Sequence, residues 1–317
     1  MANYFWAAIC AGMTIIHAGS GYSQEFPGKT IRIMTAGVGG GADFASRIIA
    51  QNLARPLGQQ VVVENRGGII PQQAVAQAAP DGHTLLLHSG STWLAPFLED
   101  TPYDPIKDYA PITWVTRSPS ILVVHPSLPV KSVKELIAMA KAKPGSLNYS
   151  SAATGSTNHL TAELFKAMAG VNIVGIAYRE TGQATSDVIA GHVHMMFPSA
   201  GGVAPHIKSG RLRGLGVTSA QPSALYPQLP TIAAAGVPGY ESVQILGLWA
   251  PAKTPVSVVS RLNQEVLRVL ERPDVKEKFL NAAVETVGST PEQFAATIKA
   301  DMTRMGKVIK DAGIRAN

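Results

Sequence analysis

The sequence predicts an α/β protein, and three observations carry that prediction. Strand-like runs alternate with helix-forming stretches from Thr30 onward, the pattern of helices packed on a largely parallel sheet. A glycine-rich loop, Gly37-Val38-Gly39-Gly40-Gly41, joins the first such strand to the first helix. The chain has 317 residues, 46% of them hydrophobic and 15% charged, which is long enough for two domains of about 150 residues. Its 30 glycines and 22 prolines are together about a sixth of the chain, below the roughly 25–30% of low-complexity sequences. Collagen, coiled coil and wholesale disorder are excluded.

In order, Thr30 to Ala36 reads as a strand, and the helix after the glycine loop carries Phe44, Ile48, Ile49 and Leu53 on one side. Arg55-Pro56 is expected to end that helix, because a residue before proline avoids the helical region. Val61-Val62-Val63 and Thr84 to Leu87 are the next strands, the latter after the turn signal Pro80-Asp81-Gly82. Ser120 to His125 reads as a further buried strand, and Ser132-Val133-Lys134-Glu135 as a capping box opening a helix. Leu147 to Ser151 is strand-like, and the helix after it places Leu160, Leu164 and Met168 on one face. Val174 to Tyr178, His192 to Phe197 and Leu212 to Thr218 follow as strands with helical segments between them. Tyr226 to Tyr240 is expected to be a surface loop leading to a strand over Gln244 to Ala250. The last helix begins at the cap Thr290-Pro291-Glu292-Gln293 and stripes Phe294, Ile298, Met302, Met305 and Ile309. No internal repeat is visible.

The apolar stretch Tyr4 to Ile16, at about 13 residues, is too short to span a bilayer and suits a signal-peptide core. No Lys or Arg precedes it, and Gly21-Tyr22-Ser23 before Gln24 is a plausible cleavage site. Residues 1–23 are therefore expected to be a cleaved secretory signal, the alternative being a buried N-terminal helix. The chain's single cysteine, Cys10, lies in that segment. A mature chain without it has no thiol nucleophile, no cysteine–metal site and no disulfide. The 27 Lys and Arg against 21 Asp and Glu give a net charge of +6. These cations are scattered, so neither a nucleic-acid arm nor a polybasic tether is expected, and an anionic small molecule is at least as good a partner.

Several spots could carry chemistry. Gly37-x-Gly39-x-x-Ala42 fits a dinucleotide fingerprint, and Glu64 closes the second strand where a ribose-binding acid would stand. More generally, glycines let backbone approach a ligand, and the free N–H groups of a helix's first turn attract an anion. Asp43 in that turn is either a favourable charge at the helix start or an acceptor for a ligand donor. A second loop of the same design, Tyr149 to Leu160, sets Ser151, Ala153, Gly155 and Ser156 between a strand and a helix; Ser156 and Thr157 also suit helix caps. Ser89 and Ser91 sit at a third strand end of similar character. Gly28-Lys29-Thr30 lacks the context of a phosphate-binding loop, no G-x-S-x-G elbow exists, and His192-x-His194 has no nearby carboxylate to complete a metal site.

Residues in many short segments match a known family in order and spacing. They include Phe26-Pro27-Gly28-Lys29, Gly39-Gly40-x-x-Asp43, Val63-Glu64-Asn65-Arg66 and Ala79-Pro80-Asp81-Gly82-x-Thr84-Leu85-Leu86. Tyr103-Asp104-Pro105-x-Lys107-Asp108-Tyr109, Pro144-Gly145-x-Leu147-Asn148-Tyr149, Gly155-Ser156-x-x-His159-Leu160, Tyr178-Arg179 and Gly210-Arg211-Leu212-Arg213 continue the series. Over nearly all of its length the chain resembles the periplasmic solute-binding proteins of tripartite tricarboxylate transporters, the Bug family.

That resemblance implies a type II periplasmic-binding fold: two α/β domains with a central ligand cleft and crossover strands. The first domain would combine residues 25–124 and 246–317, and the second would span 125–245. The protein would be a periplasmic monomer that captures a small carboxylate and delivers it to membrane permease subunits, with no metal, cofactor or turnover. The implied ligand contacts are Val38, Gly39, Gly40 and Asp43 in the first loop, Ser89 and Ser91 at the third strand end, and Ser151, Ala153, Gly155, Ser156 and His159 in the mid-chain loop. Tyr178, Arg179 and Phe197 complete them. The chain departs from the family at the shortened Asn65-Arg66-Gly67-Gly68 loop, at Gly37 and Ala153, and at Glu180, an acid where the family has glycine. Glu180 would disfavour multiply charged acids, or else stand as a solvated partner of Arg179. A nicotinamide-dependent oxidoreductase using the Gly37 loop is the alternative, and an orphan receptor reporting to a sensor is another.

Overall fold

The computed structural model describes residues 26–38, 41–151, 155–178, 181–223, 225–311 and 313–315. The signal-peptide reading and the expectations for Gly39, Gly40, Ala153, Arg179 and Glu180 fall outside the described residues.

The first half of the chain runs β1 (Ile31–Thr35), α1 (Gly41–Leu57), β2 (Val61–Asn65), α2 (Ile70–Ala76), β3 (Thr84–Ser89), α3 (Ser91–Leu94), β4 (Tyr109–Pro119) and β5 (Ile121–Val124). Then come α4 (Val133–Ala142), β6 (Asn148–Ser151), α5 (Thr157–Ala169), β7 (Val174–Ala177), α6 (Thr181–Ile189), β8 (Met195–Met196), α7 (Ala200–Lys208) and β9 (Arg213–Val217). The chain closes with β10 (Val243–Pro251), α8 (Val256–Glu271), α9 (Pro273–Asn281), β11 (Glu285–Thr286) and α10 (Pro291–Asp311).

Helix α1 runs two residues past Arg55. Pro56 sits in its last turn, and Gly58, at φ 64°, closes it with bonds from Gly58 N to Arg55 O and from Gln59 N to Ala54 O. That paired closure caps the helix beyond the proline. Helix α10 opens with a reciprocal capping box, Gln293 N to Thr290 Oγ1 at 3.2 Å and Thr290 N to Gln293 Oε1 at 3.0 Å. In α4 the same box is offset: Ser132 Oγ accepts from Glu135 N, while the Glu135 carboxylate reaches Lys131 N.

Among the described residues the strands form two sheets, ordered β11-β4-β10-β3-β1-β2 and β7-β6-β8-β5-β9. They are mixed, which corrects the expectation of a largely parallel sheet. Pairs β1–β2, β1–β3, β6–β7 and β6–β8 are parallel, while every pair that includes β4, β5 or β10 is antiparallel. The cause is the path of the chain. Strand β4 leaves the first sheet, β5 enters the second one residue later, and β10 returns beside β4 in the opposite sense. Strand β4 escapes the periodicity reading because Pro111 and Pro119 punctuate it; both lie near its ends, where proline is tolerated.

The chain therefore changes sheets at Ser120 and again before Val243, a few residues from the boundaries expected near 124 and 246. The two crossings are tied together: Ser120 N donates to Thr218 Oγ1 at 2.7 Å, Thr218 N to Ser120 O at 2.9 Å, and Ser242 N to Thr218 O at 2.8 Å.

Both sheets are covered on both faces, hence their near-continuous apolar runs. Leu85 and Leu87 pack with Ile49, Leu53 and Leu262 under α1 and α8, whereas Leu86 faces Trp93, Trp249 and Phe294. In the second sheet Ile121 and Val123 meet Val188 and Val203 of α6 and α7. Leu122 instead joins the same cluster as Leu86, which crosses from one sheet to the other. The Tyr226–Tyr240 passage is a loop but not simply a surface one: Ile232, Val237 and Tyr240 are buried. Two positions expected on core stripes, Phe44 and Met168, are partly exposed, Phe44 meeting Phe279 edge-on at 5.6 Å.

Candidate functional site

A cleft lies between the two sheets, made of two adjoining chambers of about 320 and 430 Å³ that share Thr157, Asn158, Thr181 and Gln244 as walls. Four helices start on it. Gly41 begins α1, Ser156 and Thr157 begin α5, Thr181 begins α6, and Ser199 precedes α7. Each start exposes N–H groups without intrahelical partners and the positive end of a backbone dipole. An anion between them is favoured without a cationic side chain.

The larger chamber also has Ser118 and Ser120 at the crossing and Gly201 and Gly202 in α7. The smaller has Ser89, Ser91, Trp93, Asp301 and Arg304. At the shared wall, Asn158 keeps its amide nitrogen buried and without an acceptor in the protein. A buried donor in that state is costly, so a ligand oxygen there is well placed to accept from it.

The mid-chain loop owes its shape to two residues. Gly155 adopts φ 80°, where a side chain would be strained and a Cβ would meet Leu98 Cδ1 at 2.6 Å. Its N–H donates to His159 Nδ1 at 3.1 Å, and Ser156 Oγ accepts from His159 N at 3.4 Å. The His159 ring is thus turned back on its own loop, stacked near Tyr149. Burial lowers its pKa, which suits an acceptor nitrogen. On the opposite wall Ser89 Oγ and Ser91 Oγ are 2.9 Å apart, and Ser91 Oγ lies 3.4 Å from Nδ1 of buried His88. Burial pushes the His88 pKa down to about 4, so a neutral imidazole backs the serine pair. Trp93 Nε1 donates to Asp301 Oδ2 at 2.8 Å, and Arg304 Nη2 to Asp301 Oδ1 at 2.8 Å.

Of the expected contacts, the structure brings Ser89, Ser91, Gly155 and Ser156 to the cleft wall. Others it places elsewhere. Phe197 is a core residue with no exposed surface, packed on Phe165 at 5.5 Å. Tyr178 OH donates to Asp187 Oδ2 at 2.7 Å, and Ser151 is buried at the end of β6. Val38 is 78% exposed and lines neither chamber. Asp43 is buried, accepting from Asn65 Nδ2 at 2.9 Å and pairing with Arg47 at 2.9 Å. Its carboxylate braces the α1 start against β2. Glu64, the acid of the dinucleotide reading, is paired with Arg66 at 2.7 Å. His194 Nδ1 lies 2.6 Å from Asn148 Oδ1. No cluster of His, Cys, Asp and Glu able to hold a metal is found among the described residues.

Sequence reasoning missed Gln244, Thr181, Asp301, Arg304 and the start of α7. The last was legible, because Pro198-Ser199-Ala200-Gly201-Gly202 is another strand-to-helix glycine loop. Asp301 and Arg304 carry no local signal.

Comparison with known proteins agrees with this geometry. Residues 45–314 match the model of the tripartite tricarboxylate transporter family receptor. Protein BugT of Bordetella pertussis is 34% identical over 300 residues, covering 92% of each chain. Among solved structures, Rpa4515 of R. palustris with adipate shares 34% identity at a TM-score of 0.80, over 92% of this chain and 99% of that one. MatC of Rhodopseudomonas palustris with bound malate shares 27% at a TM-score of 0.76, over 90% and 100%. The chain belongs to the tripartite tricarboxylate transporter receptor family, and its fold is that of the family's periplasmic binding proteins.

Proposed function

We propose that this family member captures a small carboxylate in the cleft between its two sheets and delivers it, unchanged, to the membrane subunits of a tripartite transporter. The observation that carries the proposal is the convergence of the α1, α5, α6 and α7 starts on one cleft. Four bundles of unpaired N–H groups suit a carboxylate's oxygens. The relatives whose structures hold adipate and malate support the same ligand class. In this reading Ser89, Ser91, Gly155 and Ser156 contact the ligand, Thr157, Asn158, Thr181 and Gln244 complete the walls, and His159 holds the mid-chain loop in shape.

The two sheets act as domains divided near Ser120 and Val243, and hinge closure converts occupancy into a surface that the membrane partner recognises. The protein works in the periplasm after loss of residues 1–23, as a monomer and without catalytic turnover.

Native mass spectrometry of the purified protein tests for a co-purified acid. A thermal-shift panel of carboxylates and dinucleotides tests the class, since a true ligand stabilises by RT ln(1 + [L]/Kd). Stabilisation by a carboxylate is the expected result. Stabilisation by dinucleotides alone would return the Gly37-x-Gly39-x-x-Ala42 reading to first place.

A further inference from the structure

Along the described part of the cleft wall the charge is sparse and asymmetric. Among the described residues lining either chamber, Asp301 and Arg304 are the only charged ones, and both belong to the smaller chamber. The Arg304 guanidinium is already occupied. Nη2 donates to Asp301 Oδ1 at 2.8 Å, Nη1 donates to the Glu241 carbonyl, and the Glu241 carboxylate lies 3.8 Å from Nη1. One cation therefore faces two carboxylates, a local formal charge of 1 − 2 = −1. Asp301 is 12% exposed at its side chain and is locked from behind by Trp93 Nε1 at 2.8 Å. It cannot swing away without breaking that bond. The rest of the chamber offers Leu94, Leu160, Ile245 and Met305 as apolar surface.

From this we propose that the ligand is a monocarboxylate with an aliphatic or aromatic tail, and that the smaller chamber seats the tail and selects its far end. The inference rests on the carboxylate reading of the cleft, with the acid group at the converging helix starts. A neutral hydrogen-bonding or cationic far end meets the free lone pairs of Asp301. A second carboxylate meets Asp301 as a like charge whose counterion is already shared, in a site too enclosed for full salt screening. This separates the chain from its relatives with adipate and malate, which are both dicarboxylic acids.

The test is titration calorimetry on the mature protein with matched sets of a linear monoacid, its ω-amino acid and its diacid, from propanoate length to octanoate length. In the wild type the best monoacid or ω-amino acid should bind about tenfold or more tighter than its matched diacid, the size expected of one like-charge contact partly offset by Arg304. Asp301→Asn keeps an oxygen for Trp93 N–H, removes the negative charge and releases Arg304. The diacid should then gain about tenfold on its monoacid, and the ω-amino acid should lose its advantage. Circular dichroism and melting curves establish that the variant is folded; if it is not, Arg304→Gln, which leaves Asp301 uncompensated, should widen the wild-type preference. A diacid that binds tightest to the wild type, or ratios unmoved by the folded variant, overturns this inference and leaves the carboxylate reading standing. Failure of every acid in the panel to bind overturns both.

Discussion

Gly201 gives the cleft its most direct mechanical test. It is the second residue of α7, in the lobe of the second sheet, and a Cβ there would lie 2.6 Å from the Ala282 carbonyl oxygen in the opposite lobe. The obstacle is backbone, so no side-chain rotation relieves it. Carbon–oxygen contacts settle at about 3.3 Å or more, so Gly201→Ala must part the lobes here by roughly 0.7 Å. A ligand gripped from both sides would lose two or three hydrogen bonds of about 1 kcal/mol each. The resulting 2–3 kcal/mol is a loss of roughly 30- to 150-fold in affinity. Stability should not follow, because Gly201 has an ordinary helical backbone and alanine is the better helix former by up to about 1 kcal/mol. Calorimetry with the tightest carboxylate and melting of the free protein read the two effects separately. Gly202→Ala is the control, since its Cβ meets only Ser199 Oγ of its own lobe, at 3.2 Å. Affinity for Gly201→Ala within twofold of wild type would show that closure does not bring these lobes together around the ligand, and equal losses in both variants would refute the interlobe argument.

Two further perturbations address what holds the site in place. At Gly247 on β10 a Cβ would lie 2.0 Å from Phe294 Cζ and 2.9 Å from Trp249 Cη2, so Gly247→Ala should cost about 1–3 kcal/mol by overpacking. Its melting temperature should fall, and Phe294→Leu in the same chain should recover part of the loss; an unchanged melting temperature would contradict the packing. Acid should also weaken the fold. Burial holds His88 at about 4 against its usual 6.5, so between those values the unfolded chain binds a proton that the folded chain refuses. Stability should therefore decline as pH falls from about 6.5 to about 4, by about 3 kcal/mol at the lower end, and be unaffected by His88 above that window. His159 shifts in the same direction. Denaturant melts at neutral and acid pH check this, and His88→Gln should flatten the slope.

Most of the fold was legible because it is written in local chemistry. The apolar runs of β1, β3 and β5, the boxes at Ser132 and Thr290, and the stripe of α10 are each decided within a few residues. What failed was non-local. Nothing in Ile121–Val124 says that this strand pairs with β8 and β9 and not with the strand just before it, and nothing in Val243–Pro251 says that it runs against its neighbours. The site divided in the same way. Ser89, Ser91, Gly155 and Ser156 announced themselves as small residues between a strand and a helix, and they reached the cleft. Tyr178 and Phe197, placed by resemblance and proximity, turned out to bond Asp187 and fill the core. Direction decided those cases, and a sequence fixes spacing far better than direction.

The net charge of +6 illustrates how composition and site can part company. A positive excess raises the local concentration of anions around the whole molecule, which favours encounter with any acid and chooses among none. The described walls of the cleft do not share that excess: their charges are one arginine and one aspartate, already bonded to each other. Among the described walls, attraction for the first carboxylate comes from backbone N–H groups and the hydroxyl and amide side chains beside them, and the N–H positions follow from where α1, α5, α6 and α7 begin. These helices begin where they do because the strands before them, β1 in the first sheet and β6, β7 and β8 in the second, end facing the cleft, so the anion preference belongs to the topology. Rejection or acceptance of a second charge belongs to α10, a helix outside that set, whose Asp301 is held from behind by Trp93 of α3 and by Arg304 beside it. Affinity and selectivity thus rest on separate parts of the molecule, and substitutions in α10 can change the ligand without disturbing the grip on its acid group.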